Sequence, residues 1–185
     1  DDLTAFIPTN LISITDGQLF FDTKLFNSGI KPAISTDLSV SRVGGAVQLP
    51  LINKLSGSLR LDLAQYHELS VFLQFGSDFD VDSLAKLNRG KLLIDLLVQP
   101  LGTLYTISDK VLILYIFKYF SQDVLAGKNF KERVLWIVRF VQGAYPELYN
   151  DLSGGALLPE KKDAFLKSVV HEGINISAVL SNFVV

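Results

Sequence analysis

The sequence predicts an α+β chain, a few short strands followed by an α-helical bundle, and two observations carry that prediction. Over residues 6–43, β-branched and aromatic residues are interspersed with Gly, Pro, Asn and Asp, the composition of short strands and turns. From residue 50 onward, apolar residues recur at threes and fours, the period of helices that bury one face. The change of character divides the chain into residues 1–49, the closing part of an α/β domain, and residues 50–185, the bundle.

Taken in order, "FIPTNLISITDGQLFFD" (6–22) reads as strand, turn, strand, with "TDGQ" as the turn. "AISTDLSVSRV" (33–43) reads as a further short strand running into two glycines. Three such pieces without helical layers between them cannot close a sheet, so they read as the end of a domain that begins elsewhere. In "AVQLPLINKLSGSLRLDLAQYHELSVFLQF" the residues Leu55, Leu59, Leu63, Leu69 and Phe72 follow helical spacing, with Pro50 tolerated in a first turn. Further helices are expected at about 81–98, 108–121, 130–142 and 160–171, separated by loops such as "GSD", "PLGT", "AYPE" and "SGGALLP". The result is a bundle of about five helices. Its longest apolar run, "VLILYIF" at 111–117, is closed by Lys118 and is far shorter than the ~20 residues needed to span a bilayer.

Composition narrows the function classes. A net charge of -2 and a pI near 5.6 supply no basic field for nucleic acid and no polybasic membrane anchor. With no cysteine there is no disulfide, thiolate metal site or cysteine nucleophile. The 49% apolar content predicts that part of the surface meets other chains. The absence of methionine, even at position 1, is expected of a chain that begins inside a longer product.

Most chemical constellations can be declined on spacing. Asp78, Asp80 and Asp82 have the D-x-D-x-D opening of a calcium loop, but Ser83 stands where the turn glycine belongs and Arg89 where the bidentate glutamate belongs. Capping of the following helix is the alternative use of these acids. His67 and His171 each lack a second ligand at helical spacing, and no metal site is expected. The chain contains neither a G-x-S-x-G elbow nor a G-x-x-x-x-G-K-[ST] phosphate loop, so it holds no complete active site. Arg42, in "LSVSRVGGAVQ", is a forked cation on a small-residue turn, suited either to gripping an anion or to an ordinary surface ion pair.

"IPTNLISITDGQLFFDTKLFNSGIKPAISTDLSVSRVGGAVQ", with "LAQYHEL", "FLQFGSDFD" and "NRGKLLIDLLVQ", resembles the C-terminal portion of the α subunit of the rotary F-type ATP synthase. The resemblance runs essentially without gaps to about residue 99; "LPEKKDAFLKSVV" still looks like the family's last helix, while the aromatic segment 105–150 departs from it. It implies that the strands end a RecA-like nucleotide-binding domain whose phosphate loop lies far upstream. It also implies that Arg42 is an arginine finger supplied in trans to the phosphates held by the neighbouring β subunit. Ser13 then falls beside the same phosphate site, with a backbone-bonded hydroxyl as the alternative. Phe26, Lys31, Pro32 and Gln99 fall where the family lines the adenine pocket of its non-catalytic nucleotide site. Lys31 replaces the usual arginine there, and Leu101 a second glutamine. The implied ligands are ATP or ADP with Mg2+, held mainly by companion chains. The implied partners are a companion N-terminal α fragment carrying the phosphate loop, β subunits, the central rotor stalk and the peripheral stalk. Acids of "FGSDFDVDS" would face the rotor. The implied location is the matrix face of the mitochondrial inner membrane, with bacterial and plastid membranes as alternatives. From another function class, a non-enzymatic assembly or scaffold protein derived from α would keep the bundle and abandon catalysis.

Overall fold

The computed structural model describes residues 3–73, 80–124 and 129–181 of the chain. It is mostly helical with one small sheet, and it divides into two compact units: Asp1–Gln48 with Leu97–Thr103, and Leu49–Leu96 with Leu104–Val185.

The first unit begins with helix α1 (Phe6–Ile14), followed by strand β1 (Gly17–Phe21), the short helix α2 (Thr23–Asn27) and strand β2 (Ile34–Ser41). Residues 6–14 are therefore helical, not the expected strand. Pro8 sits in the first turn, where its missing N–H costs nothing, and the Thr9 and Thr15 hydroxyls donate to the Ala5 and Leu11 carbonyls four residues back. Helix α2 is capped by Asp22, whose carboxylate accepts the Lys24 N–H at 2.7 Å. β1 and β2 pair antiparallel, and among the described residues the sheet has these two strands, not three. Gly17 pairs with Ser41 at a close approach: a Cβ on Gly17 would lie 2.6 Å from the Val40 carbonyl oxygen. Of this unit's hydrophobic residues up to position 48, Ala33 is the buried one among those described.

The second unit is the bundle. It comprises α3 (Pro50–Ser56), α4 (Leu59–Leu73), α5 (Val81–Leu97), α6 (Ile107–Val124), α7 (Phe130–Ala144), α8 (Pro146–Asp151) and α9 (Glu160–Ser181), with α5 running one residue into the first unit. The helix expected from residue 50 is two helices, interrupted at Gly57 and Ser58, and α8 is a further short helix that begins in the expected "AYPE" loop and runs past it. Pro50 and Pro146 each open a helix, where a fixed φ is already helical. The core centres on α6, whose Val111, Leu112, Tyr115, Ile116 and Phe117 are essentially inaccessible to solvent. Helix α7 contributes Val134, Ile137, Val138 and Val141 at threes and fours, and α9 contributes Leu166, Val169, Val170 and Ile174. Of the residues marked by helical spacing, Leu55 of α3 and Leu63 of α4 are buried, Leu59 and Leu69 are half-buried and Phe72 is exposed, while Leu51 of α3 joins the core beside them. The "VLILYIF" segment is thus core, and no helix among the described residues is long and apolar enough to cross a membrane.

Candidate functional site

The first unit assembles two clusters from the residues singled out in the sequence. The first surrounds Arg42, immediately after β2. Its backbone N–H donates to the Asp16 carbonyl at 2.9 Å, continuing the pairing of Gly17 with Ser41. Its Nη2 donates to the Ser13 carbonyl at 3.0 Å. That carbonyl lies in the last turn of α1, where oxygens without helical partners carry partial negative charge and favour a cation. The Asp16 carboxylate stands 3.9 Å from Nη1. Both side chains are mostly in solvent, 56% and 88% exposed, so this pair attracts only weakly. The structure therefore brings Arg42 and Ser13 together, but through the Ser13 main chain. The Ser13 hydroxyl donates to the Asn10 carbonyl at 2.7 Å, within its own helix. Among the described residues, Ser13 and Asp16 are the partners of the Arg42 guanidinium, and the rest of the fork is open to an anion.

The second cluster is a cleft of about 460 Å³ lined by Gly29, Lys31 and Pro32 on one side and by residues 98–103 on the other. The Gln99 N–H donates to the Lys31 carbonyl at 2.8 Å, which fixes the two walls relative to each other. The Gln99 side-chain amide donates to the Thr103 carbonyl. The Lys31–Pro32 peptide is cis. Phe26 is not part of the lining; its exposed ring carries the Lys31 ammonium 4.9 Å from its centroid. Leu101 lines the cleft and is fully exposed. Lys31, Pro32 and Gln99 are thus drawn from distant parts of the sequence into one open, mostly apolar concavity.

Described residues of the declined motifs make local contacts. The Asp80 carboxylate accepts the Ser83 N–H at 3.1 Å at the start of α5, and the Ser83 hydroxyl and N–H hold its carboxyl below the usual carboxylate range. Asp78 lies outside the described residues, among which no cluster of three His, Cys, Asp or Glu could hold a metal. His67 meets the Tyr66 ring edge-on, and His171 Nδ1 lies 3.2 Å from Asn175. Sequence reasoning missed Asp16 beside Arg42 and Thr103 beside Gln99. Asp16 was visible as the residue before Gly17 in "TDGQ", but no sequence signal marked Thr103.

The family model for the ATP synthase alpha/beta chain, C terminal domain, matches residues 48–173, and that for the ATP synthase alpha/beta family, nucleotide-binding domain, matches residues 1–41. The chain belongs to the ATP synthase α/β family. Within it, the match is to a C-terminal portion of the α subunit. The ATP synthase subunit alpha of Wolinella succinogenes is 41% identical over 173 residues, which are 92% of this chain and 34% of that protein. That of Acetivibrio thermocellus is 42% identical over 174 residues, with the same coverage. The chain therefore spans about a third of the length of the curated α subunits it matches. Both of these relatives are bacterial.

Proposed function

We propose that this chain completes the fold of an ATP synthase α subunit and supplies Arg42, as a finger in trans, to the catalytic site of an adjacent β subunit. Arg42 itself carries the reading: a guanidinium seated on the C-terminal turn of a helix by one hydrogen bond, more than half exposed, with donors left over. Negative charge on a transferring phosphoryl group becomes more diffuse in the transition state, and a preorganised fork stabilises it. Such fingers are worth on the order of 10³–10⁵ in rate. Ser13 serves the same site as the main-chain seat of the guanidinium.

In this reading the β1–β2 ribbon closes a RecA-like nucleotide-binding domain whose phosphate loop belongs to a companion N-terminal α portion. The cleft of Lys31, Pro32 and Gln99, with Phe26 beside it, takes the base of ATP or ADP at the non-catalytic site, while the phosphates and Mg2+ are held mainly by companion chains. The bundle packs in the head around the central rotor stalk, with the peripheral stalk as a further partner. The assembly sits peripherally on an energy-coupling membrane, the matrix side of the mitochondrial inner membrane or its bacterial counterpart, and serves proton-driven ATP synthesis. Reconstitution tests the whole reading. β subunits with a companion α portion should gain ATP hydrolysis when this chain is added, and an unchanged rate on addition would overturn it.

A further inference from the structure

The register that delivers Arg42 to α1 depends on an irregularity in the ribbon. Gly17 and Gln18 of β1 pair with Ser41 and Val40, but Phe20 and Phe21 pair with Ser35 and Ile34. Between these two stretches β1 has Leu19 alone, whereas β2 has residues 36–39. Four residues opposite one make an excursion that could be taken up at several registers, and each one-residue slip turns the following side chains to the other face. Beyond the excursion the ladder consists of two pairs and the Arg42–Asp16 bond, a short stretch to hold a register unaided.

Ser39 closes the neck of that excursion. Its hydroxyl donates to the Ser35 carbonyl at 2.5 Å, joining the two ends of the bulged segment. The same oxygen accepts the Phe20 N–H at 3.0 Å, joining the neck to β1 where a backbone carbonyl would otherwise serve. One half-buried hydroxyl thus uses both donor and acceptor capacity across the point where register is decided. Ser35 and Gln18 add weaker ties to Leu38 at 3.3 Å each, neither of which reaches β1 backbone.

We propose that Ser39 is a positioning residue for Arg42: by pinning the bulge, it fixes the register that sets the guanidinium on the last turn of α1. The proposal rests on the reading of Arg42 as a finger. Alanine at position 39 removes both bonds and leaves the Phe20 N–H unpaired, so the end of β2 samples other registers and Arg42 leaves its seat part of the time.

The test is a double-mutant cycle on the assembled complex, with ATP hydrolysis and nucleotide affinity measured on the same preparations. Ser39→Ala should lower turnover at least about tenfold while changing affinity less than about twofold. Ser39→Thr, which keeps the hydroxyl, should recover most of the rate. Ser39→Ala combined with Arg42→Lys should be no slower than Arg42→Lys alone, because both act on one contact. Should Ser39→Ala fail to assemble, Ser39→Cys keeps the volume with a weaker donor and acceptor, and it should show the same selective loss of turnover. If Arg42→Lys collapses the rate while Ser39→Ala or Ser39→Cys works normally, or if the two defects multiply, Ser39 does not act through Arg42. Near-normal hydrolysis by Arg42→Lys itself would instead bring down the finger reading, and this proposal with it.

Discussion

Asp163 of α9 carries a local balance of burial against partners. Burial raises its carboxyl, but hydrogen bonds from the Lys167 ammonium at 2.8 Å and the Tyr115 hydroxyl at 2.7 Å outweigh that and hold it below its ordinary value of 3.8. Burial, then the bond to Asp163, pushes the Tyr115 hydroxyl up, so it remains a donor at all physiological pH. A depressed folded-state value means that the contribution of Asp163 is fully present above 3.8 and is lost as pH falls through the folded-state value. Asp163→Asn should therefore destabilise the bundle by about 1–2 kcal/mol near neutral pH and converge with wild type in acid. Hydrogen-exchange protection of α6 and α9 against pH, corrected for intrinsic rates, checks this; a constant difference at every pH would contradict it. In the cleft, Gln99 ties its own wall to Lys31 and Thr103. Gln99→Ala should lower the nucleotide retained at the non-catalytic site several-fold with turnover mostly intact, and unchanged nucleotide content would remove the residue from that site.

Between elements, Gly90 of α5 is buried against Tyr66 of α4, and a Cβ there would fall 2.3 Å from the Tyr66 Cβ, an atom fixed to the α4 backbone. Alanine cannot be accommodated by rotating a side chain, so Gly90→Ala should destabilise the α4–α5 pair by about 1–3 kcal/mol, read as faster hydrogen exchange in both helices. Unchanged exchange would mean that the two helices separate without cost. The bundle was largely legible in advance because Val134, Ile137, Val138 and Val141 repeat at a helical period and their burial is decided within the segment. Helix α1 was not. "FIPTNLISI" is rich in β-branched residues, has no side-chain cap and has no buried residue, so composition pointed to a strand. At the level of sequence, only the resemblance puts Lys31 and Gln99 in one pocket. Neither spacing nor periodicity places them together; the Gln99–Lys31 backbone bond does. The excursion closed by Ser39 was equally illegible, because register is a property of two strands and not of either one.

The whole molecule is unevenly finished. Its bundle has a continuous core, whereas Phe6, Ile7, Leu11 and Ile14 of α1 and Leu19, Phe21, Leu38 and Val40 of the ribbon are exposed. An apolar surface of this kind is covered in assemblies. Expressed alone, the chain should aggregate or populate a partly disordered first unit, and in its native setting it should copurify with the portion that bears the phosphate loop. A monodisperse, cooperatively melting monomer would argue against that dependence. If Arg42 acts on a neighbour's phosphates, lysine is the discriminating substitution, because it keeps the charge while removing the fork. The measurement is ATP hydrolysis by complexes carrying Arg42→Lys, with assembly verified by intact mass and nucleotide binding measured on the same preparation. Turnover should fall by at least about 10²-fold with affinity changed far less, since a contact made mainly in the transition state lowers kcat; near-normal hydrolysis in an intact complex would rule out the finger and leave a scaffold derived from α in its place.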